Sequence, residues 1–300
     1  MGEGLIQVGP RCRLAYCTFG PRRGLPVFLF HGWGECRLTV PPDHDMLHRV
    51  SVRLVTIDRP GIGRSDPQPG RRLLDWPANV AAVADHLGIP SFAVLGRSAG
   101  AAYAAACAYQ LPDRVTSTTL VSGVGLPSRG GWRLLARSDF RKLVFWLKFA
   151  PPLARPTLWV GVRLVRPHVP RFLDRHIIGL PEADRQVLGD AAMRAMRLSS
   201  LREAFSQAEV GIYQDAVLLT RAWGFDLGLI TTPLRIWHGE ADTIVNVGFG
   251  RQLSTAVRHS TSVFVADAGH YLMYTHWREI LEKIVEDSTS PVSVDQGAPA

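Results

Sequence analysis

The stretch FAVLGRSAGAAYAAACAYQ, residues 92–110, decides the fold of this chain. It begins with an apolar run typical of a buried strand and ends in an alanine-rich run typical of a helix. Between the two runs lies the pentapeptide GRSAG (96–100), which has the pattern G-x-S-x-G. Small residues are needed there because a chain that turns so tightly from strand to helix leaves no room for side chains beside the serine. The pattern therefore predicts that Ser98 stands at the helix N-terminus with its hydroxyl exposed.

The same alternation of short apolar runs and helical stretches continues on both sides of this turn. Strands are predicted at residues 13–19, 27–30, 52–57, 92–95, 115–121, 234–237 and 262–265, and helices at 77–87, 99–110, 248–257 and 277–285. Such alternation is typical of a mostly parallel, doubly wound sheet covered by helices on both faces. The fold class predicted from it is α/β.

The alternation stops between residues 123 and 230. This segment contains helical pieces separated by prolines and no convincing core strand, which predicts a helical cap, or lid, inserted into the sheet domain. The predicted organisation is therefore a core of residues 1–122 and 231–286, a cap of residues 123–230 and a C-terminal tail of residues 287–300. The tail has no periodicity, so we expect it to be flexible.

Length and composition exclude several classes of protein. The chain has 300 residues, of which 46% are hydrophobic and 20% charged. It is long enough to bury a large core, and it is neither disordered nor collagen-like. Its four cysteines lack the C-x-x-C spacing of zinc sites, and no H-E-x-x-H motif occurs, so we predict reduced thiols, no metal and no cofactor. With no export signal or spanning segment visible, we expect a cytoplasmic protein.

Four further motifs fall at the ends of predicted strands. In HGWG (31–34), glycines let backbone N–H groups point to one spot beside Ser98, as an oxyanion hole requires. DRPGIGRSD (58–66) is interpreted as a rigid structural turn. HGEADTIV (238–245) and AGH (268–270) supply an acid and a histidine late in the chain.

With these motifs the chain resembles the α/β-hydrolase superfamily, in particular its capped branch with H-G-x, D-x-P-G-x-G-x-S and G-x-S-x-G motifs. The resemblance covers residues 5–122 and 232–286, and it implies the α/β-hydrolase fold with an inserted helical cap. The order serine, acid, histidine along the chain is the one that this family's connectivity requires.

The resemblance implies a role for each candidate residue. Ser98 would be the nucleophile, His270 the general base and acid, and Asp242 the acid that orients the imidazole. The backbone N–H groups of Trp33 and Ala99 would form the oxyanion hole. Residue chemistry agrees, because a serine hydroxyl is a poor nucleophile until a histidine takes its proton and a carboxylate stabilises the resulting imidazolium.

Some assignments have alternatives. Glu240 and Asp267 lie close in sequence to the acid and the base, but neither occupies the acid position of the matched segment. Arg97 either binds a polar group or carboxylate of the substrate or pairs with a nearby acid such as Glu35. His31 is interpreted as bracing its own loop.

Trp33 and Trp146 are the other candidates for contact with substrate. Further large side chains of the cap either line the pocket or form a small core within the cap, and they are Trp132, Leu134, Leu135, Phe140, Phe145, Phe149 and Trp159.

These residues predict a cofactor-independent serine hydrolase that forms an acyl-enzyme on Ser98. Its substrate would be a small or medium-sized apolar ester, lactone or thioester. The alternatives are hydrolysis of a carbon–carbon bond, non-hydrolytic acyl transfer or cyclisation in a biosynthetic pathway, and a non-catalytic ligand-binding protein of the same fold. A serine rather than an aspartate at the turn disfavours haloalkane dehalogenase and epoxide hydrolase chemistry, which the family performs with an aspartate.

The net charge of +8 is concentrated in one segment. Residues 129–175 contain eleven basic and two acidic residues, a net of +9, which leaves −1 for the rest of the chain. No nucleic-acid-binding motif accompanies the arginines, so we predict no binding of nucleic acid. The basic face is either solvated, or makes weak contact with an anionic membrane surface, or steers an acidic substrate. The sequence leaves the oligomeric state open.

Overall fold

The computed structural model describes residues 1–10, 12–126, 144–147, 149–207 and 209–289. Within these residues, a single sheet of eight strands runs through the protein. Its strands are β1 (Gly2–Gly9), β2 (Cys12–Phe19), β3 (Leu25–Phe30), β4 (Val52–Ile57), β5 (Phe92–Arg97), β6 (Val115–Val121), β7 (Leu234–Gly239) and β8 (Ser260–Val265).

The strand order is β1-β2-β4-β3-β5-β6-β7-β8. The pairs β1–β2 and β2–β4 are antiparallel, and all the others are parallel. This arrangement confirms the predicted mostly parallel α/β sheet. Strand β1 was missing from the prediction, because its sequence GEGLIQVG is rich in glycine, which is depleted in strands.

The helices are α1 (Asp45–Arg49), α2 (Trp76–His86), α3 (Gly100–Gln110), α4 (Pro151–Val165), α5 (Val169–Ile178), α6 (Glu182–Gly189), α7 (Ala191–Ala204), α8 (Val210–Leu219), α9 (Val247–Ala256), α10 (Leu272–Thr275) and α11 (Trp277–Thr289). Short 3₁₀ turns lie at Leu73–Asp75, Arg166–His168 and Leu227–Leu229. Helices α2, α3, α9 and α11 correspond to the four helices predicted for the core.

Alternate side chains of the strands pack against helices on opposite faces of the sheet, as the pleat requires. In β5, Phe92 and Val94 join a cluster with helices α2 and α3. Ala93 and Leu95 join a second cluster, on the other face, with α1 and α11. A helix layer on each face explains why β5 is apolar on both of its faces from Phe92 to Leu95.

Helices α4 to α8 lie between β6 and β7, and the described residues of this segment contain no strand. Prolines begin or precede α4, α5 and α6, where a missing backbone donor costs little. The presence of helices in this segment agrees with the prediction of a helical insertion, while the division of the chain at residues 123 and 230 stays a prediction.

The C-terminal helix extends beyond its predicted end. Helix α11 continues to Thr289, so residues 287–289 are helical rather than part of a tail. The last turn is held by Arg235, whose Nε and Nη2 lie 2.9 and 2.7 Å from the carboxylate of Asp287. Ser117 and Ser288 share a hydroxyl contact of 2.8 Å beside it. The remaining tail residues, 290–300, lie outside the described residues.

Several residues named from the sequence also lie outside the described residues. They are Trp132, Leu134, Leu135 and Phe140. Six of the eleven basic residues of segment 129–175 lie there too, and they are Arg129, Arg133, Arg137, Arg141, Lys142 and Lys148. None of the helices described is both long and apolar enough to cross a lipid bilayer.

Candidate active site

Ser98 lies in the turn between β5 and α3, where its φ of +54° is in the left-handed region. The glycines on either side of this turn are needed because the turn leaves no space for a Cβ atom. A Cβ on Gly96 would lie 2.5 Å from the carbonyl oxygen of Gly100, and one on Gly100 would lie 2.1 Å from that of Phe30. The backbone N–H of Ser98 donates to the carbonyl of Val121 at 2.8 Å. Ser98 is 8% exposed, which is less than the pattern predicted.

The loop HGWG (31–34) follows β3, which is the parallel neighbour of β5. The loops after these two strands therefore leave the same edge of the sheet side by side. Ala99 directly precedes α3, so its N–H belongs to a helix N-terminus, where backbone amides favour negative charge. The two backbone groups predicted for the oxyanion hole thus belong to adjacent loops. The indole Nε1 of Trp33 donates to the carbonyl of Ile212 in α8 at 2.9 Å.

Asp242 and His270 follow β7 and β8 and meet directly. His270 Nδ1 donates to Asp242 Oδ2 at 2.8 Å. Asp242 Oδ1 accepts hydrogen bonds from the backbone N–H groups of Ile244 and Val245, each at 2.8 Å. With its proton on Nδ1, a neutral imidazole presents Nε2 as the acceptor, which is the form that a general base requires.

The charge state of Asp242 follows from its surroundings. Burial alone would raise the pKa of this carboxyl, but His270 and His238 hold the pKa well below its usual range. His238 Nε2 lies 3.5 Å from Asp242 Oδ2 and also donates to the carbonyl of Val245 at 2.9 Å. Asp242 is therefore ionised at neutral pH and can stabilise an imidazolium beside it.

The two alternative acids are placed differently. Glu240 forms an ion pair with Arg251, at 3.1 Å, on the protein surface. Asp267 is exposed. Of the three acids considered from the sequence, Asp242 is the one whose carboxylate lies against the His270 ring.

Arg97, the residue before Ser98, is 2% exposed, and its guanidinium is paired with the carboxylate of Glu35. This is the structural pairing that was the alternative to substrate binding. Burial lowers the pKa of Arg97 and Glu35 raises it, so that it lies above its usual value. The guanidinium also lies 5.3 Å from the centre of the Tyr271 ring. Arg97 thus connects the loop after β3 with the loop that carries His270.

Arg197 of helix α7 also pairs with Glu35, a contact that the sequence analysis missed. Burial would raise the pKa of Glu35, but Arg97 and Arg197 hold it well below its usual range. The second carboxylate oxygen of Glu35 accepts from the backbone N–H of Gly32 at 2.8 Å. Because 162 residues separate Glu35 from Arg197, no local pattern could have revealed the pair.

The tryptophans predicted to contact substrate have different surroundings. Trp33 is half-buried and packs in an apolar cluster with Leu147 and Ala216. Trp146 is 39% exposed and contacts Phe145 edge to face, with their ring centres 6.2 Å apart. In the described part of this segment, Leu147 rather than Trp146 is the buried neighbour of the loop after β3.

His31 and the turn 58–66 brace each other. Arg59 donates from Nη1 to the carbonyl of His31 at 2.6 Å and from Nη2 to that of Gly32 at 2.9 Å. The ring of His31 contacts the carbonyl of Gly32 through Nδ1, at 2.9 Å, and the backbone N of Arg59 through Nε2, at 3.4 Å. Within the turn, Asp58 accepts hydrogen bonds from Arg37 and from the backbone N–H of Arg64. These contacts agree with the structural roles predicted for both.

In the part of the chain that the structure describes, no three His, Cys, Asp or Glu side chains are grouped so that they could hold a metal ion. The two histidines of the inserted helices have different surroundings. His176 Nε2 contacts the Tyr271 hydroxyl at 3.0 Å, whereas His168 is the last residue of a 3₁₀ turn.

The family of this chain is now clear. A family model described as alpha/beta hydrolase fold matches residues 26–276, more than half of the sequence. The chain belongs to the α/β hydrolase fold family and is an α/β-fold hydrolase.

The individual relatives share only low to moderate sequence identity with this chain. The chain is 35% identical to the non-heme chloroperoxidase of Streptomyces lividans over 126 residues, which cover 40% of this chain and 45% of that protein. It is 23% identical over 265 residues to the hydrolase YcgS of Bacillus subtilis (strain 168), which covers 86% of this chain and 88% of the relative. A thermophilic esterase from Thermogutta terrifontis matches with a TM-score of 0.66 and 22% identity over 92% of both chains. This last likeness shows a common fold.

Proposed function

We propose that the protein is a serine hydrolase that cleaves a small or medium-sized apolar ester, lactone or thioester through an acyl-enzyme on Ser98. The observation that carries this proposal is the hydrogen bond of 2.8 Å between His270 Nδ1 and an ionised Asp242. Such a pair has its base in the required tautomer, and it shares one edge of the sheet with a serine held in a strained strand-to-helix turn. The esterase of similar fold agrees with this reaction class.

The proposed reaction has two stages. His270 Nε2 removes the hydroxyl proton of Ser98 as the oxygen attacks the acyl carbon, while Asp242 stabilises the imidazolium. The backbone N–H groups of Trp33 and Ala99 would stabilise the oxyanion of the tetrahedral intermediate. The imidazolium then protonates the leaving group, and the acyl-enzyme remains. In the second stage His270 activates water, which releases the acid and regenerates Ser98.

An apolar substrate is supported by the surroundings of the loop after β3. Trp33, Leu147, Tyr213 and Ala216 pack in one apolar cluster beside it. Three buried arginines near this loop already have acidic partners: Arg97 and Arg197 pair with Glu35, and Arg59 pairs with Asp215. The side chains near the proposed oxyanion hole therefore favour an uncharged acyl group.

The test uses p-nitrophenyl esters of graded chain length and labelling with a fluorophosphonate. We expect Ser98→Ala and His270→Ala to fold and to lose turnover by at least about 10³-fold, and Ser98→Ala to lose labelling. Ser122→Ala is a matched control, because Ser122 is also buried, has a φ of +47° and directly follows the adjacent strand β6. Wild-type labelling of Ser98→Ala would overturn the proposal.

The ester panel also separates the alternatives. A protein that is labelled at Ser98 but turns over no ester would favour carbon–carbon bond hydrolysis, or acyl transfer or cyclisation. A protein that is neither labelled nor active would favour a non-catalytic binding role. Oligomeric state is read independently, by light scattering.

We further propose that the basic cap makes weak contact with an anionic membrane surface. Residues 140–173 contain no acidic residue. Trp159, Arg163 and Arg166 line a surface cavity of about 610 Å³, and Leu164 nearby is 67% exposed. Exposed apolar side chains beside arginines on a helix are typical of interfacial binding. The proposal includes a cytoplasmic location, which four free, buried cysteines support, and no contact with nucleic acid.

Co-sedimentation with vesicles tests the membrane proposal. We expect binding to vesicles containing an anionic phospholipid and little binding to neutral ones. Arg163→Gln/Arg166→Gln should weaken it, whereas Arg22→Gln/Arg23→Gln, which removes the same charge from an exposed loop elsewhere, should not. Equal binding to both kinds of vesicle would reject the proposal.

A further inference from the structure

Helix α6 carries a buried carboxylate that faces the loop of His270. Asp184 is 1% exposed. Its Oδ2 accepts a hydrogen bond from the backbone N–H of His270, and its Oδ1 accepts one from the backbone N–H of Tyr271, each at 2.9 Å. The two oxygens of one carboxylate therefore hold two successive peptide groups, and one of these belongs to the proposed general base.

We propose that Asp184 is a positioning residue, which sets the backbone of His270 so that its ring meets Asp242 and is oriented to take the proton of Ser98. This inference rests on the proposed serine hydrolase function. It assigns a task in the reaction to a residue of the inserted helices, 86 positions before His270 in the chain.

The contact leaves the loop little freedom. A Cβ on Gly269 would lie 2.3 Å from Asp184 Oδ2, so the carboxylate is seated directly against the backbone of the loop. On the other side of His270, Asp242 holds the ring through Nδ1 at 2.8 Å. One carboxylate thus fixes the backbone and a second one fixes the side chain. Because a displacement of about 1 Å can cost about 100-fold in rate, both contacts matter for proton transfer.

Neighbouring contacts make Asp184 part of a larger interface. Leu188, one turn after Asp184, packs in a buried cluster with Tyr271 and Val245. His176 of α5 contacts the Tyr271 hydroxyl at 3.0 Å. Helices α5 and α6 therefore lie against both loops that carry the acid and the base. A shift of these helices would be passed to His270 through Asp184.

Burial raises the pKa of Asp184 above its usual value and the nearby Asp242 carboxylate adds to this, while the amides of Tyr271 and His270 and the His270 ring act in the opposite direction. An ionised Asp184 would add to the stabilisation of the imidazolium that forms when Ser98 loses its proton.

The experiment compares Asp184→Asn and Asp184→Ala with the wild type. Asparagine keeps the size of the side chain but offers one acceptor instead of two, and its NH₂ group would face a backbone N–H. We expect kcat and the rate of fluorophosphonate labelling to fall by about 10-fold in Asp184→Asn and about 100-fold in Asp184→Ala, with KM changed less than about threefold. Rates are normalised to the folded fraction measured by circular dichroism.

Asp190→Ala is the matched control. Asp190 also accepts a hydrogen bond from a backbone N–H, that of Met193 at 2.9 Å, but this contact caps helix α7. We expect this variant to lose some stability and to keep wild-type kcat.

Each outcome decides the matter. If folded Asp184→Asn keeps wild-type kcat and labelling, or if only its KM rises, Asp184 has a structural or binding role and the inference is wrong. Should Asp184→Ala fail to fold, Asp184→Asn alone carries the test. If Ser98→Ala retains activity, the proposed function fails, whatever the Asp184 variants do.

Discussion

Arg59 and Asp215 lie 156 residues apart in the sequence, yet Arg59 Nε donates to Asp215 Oδ2 at 2.7 Å and both side chains are wholly buried. Arg71 pairs with the other oxygen of Asp215, which also accepts from the Tyr103 hydroxyl at 2.7 Å. Arg59 in turn holds the carbonyls of the loop after β3. One acid of helix α8 therefore neutralises two arginines of the core.

We predict that Asp215→Ala destabilises the protein by about 3 to 5 kcal/mol, because it leaves buried guanidinium groups without a counter-charge. Urea unfolding followed by circular dichroism measures the change. Asp174→Ala is the control: Asp174 pairs with Arg194 at 2.6 Å, but both side chains are substantially exposed. Such a pair should contribute at most about 1 kcal/mol. Similar losses in the two variants would contradict the prediction.

Two glycine-to-alanine substitutions, one in the turn that contains Ser98 and one elsewhere, test how tightly this turn is packed. We predict that Gly100→Ala prevents normal folding or costs several kcal/mol, since its Cβ would lie 2.1 Å from the carbonyl oxygen of Phe30. Gly161→Ala is the matched control within helix α4, where a Cβ would meet nothing within 4 Å. That substitution should be neutral or stabilise by up to about 1 kcal/mol. Thermal unfolding compares the two, and a stable, active Gly100→Ala enzyme would refute the close approach.

His31 predicts a dependence of stability on pH. Burial, with the charge of Arg59, lowers its pKa from 6.5 to about 3. In this interval the unfolded chain binds a proton that the folded chain does not, so stability is lost as the pH falls below about 6.5. The expected slope is about 1.4 kcal/mol per pH unit.

Urea unfolding at pH 7, 6, 5 and 4 measures this slope. His31→Asn has no titrating group at this position and should lose less stability between pH 6 and pH 4, although it starts from a lower value. Parallel curves for the variant and the wild type would show that His31 is not the source. Glu35 and Asp242, whose pKa values are lowered in the folded state, begin to add their losses only as the pH falls below the usual pKa of carboxyl groups.

The cysteines give a prediction about reactivity. Cys12, Cys17, Cys36 and Cys107 are all buried and free. Burial raises the pKa of each thiol, for Cys17 to about 11. Because the thiolate is the reactive form, we expect native protein to react with Ellman's reagent far more slowly than protein in denaturant, which should show four thiols. Rapid native labelling of one thiol would reveal local opening around it.

Local patterns in the sequence were enough to predict most strands of the sheet. The predicted strands at 52–57 and 115–121 coincide with β4 and β6. Strand β3 begins at Leu25, two residues before its predicted start. The prediction left these residues out because proline is rare inside strands. In the structure Leu25 and Pro26 nevertheless pair with Val52 and Arg53.

The site was predictable where its residues lie in short motifs at strand ends. Asp242 and His270 were assigned in this way, and they meet in the structure. Asp184, Arg197 and Asp215 were not found, because each has its partner 86 residues or more away in the chain. A charged residue on an amphipathic helix gives no local signal that distinguishes a buried contact from a solvated one. Only the packing of the inserted helices onto the core reveals it.

The placement of these helices also affects how the protein is made. Residues 122–233 leave the ribosome after β6 and before β7, its partner in the sheet. At a synthesis rate of about 5 to 20 residues per second, the edge of β6 therefore stays unpaired for several seconds. Unpaired strand edges are sites of aggregation. Its sequence VTSTTLV contains four hydroxyl side chains in a row. Until β7, the strand that precedes Asp242, is synthesised, the open edge of the growing sheet is therefore a strand with four polar side chains rather than a wholly apolar one.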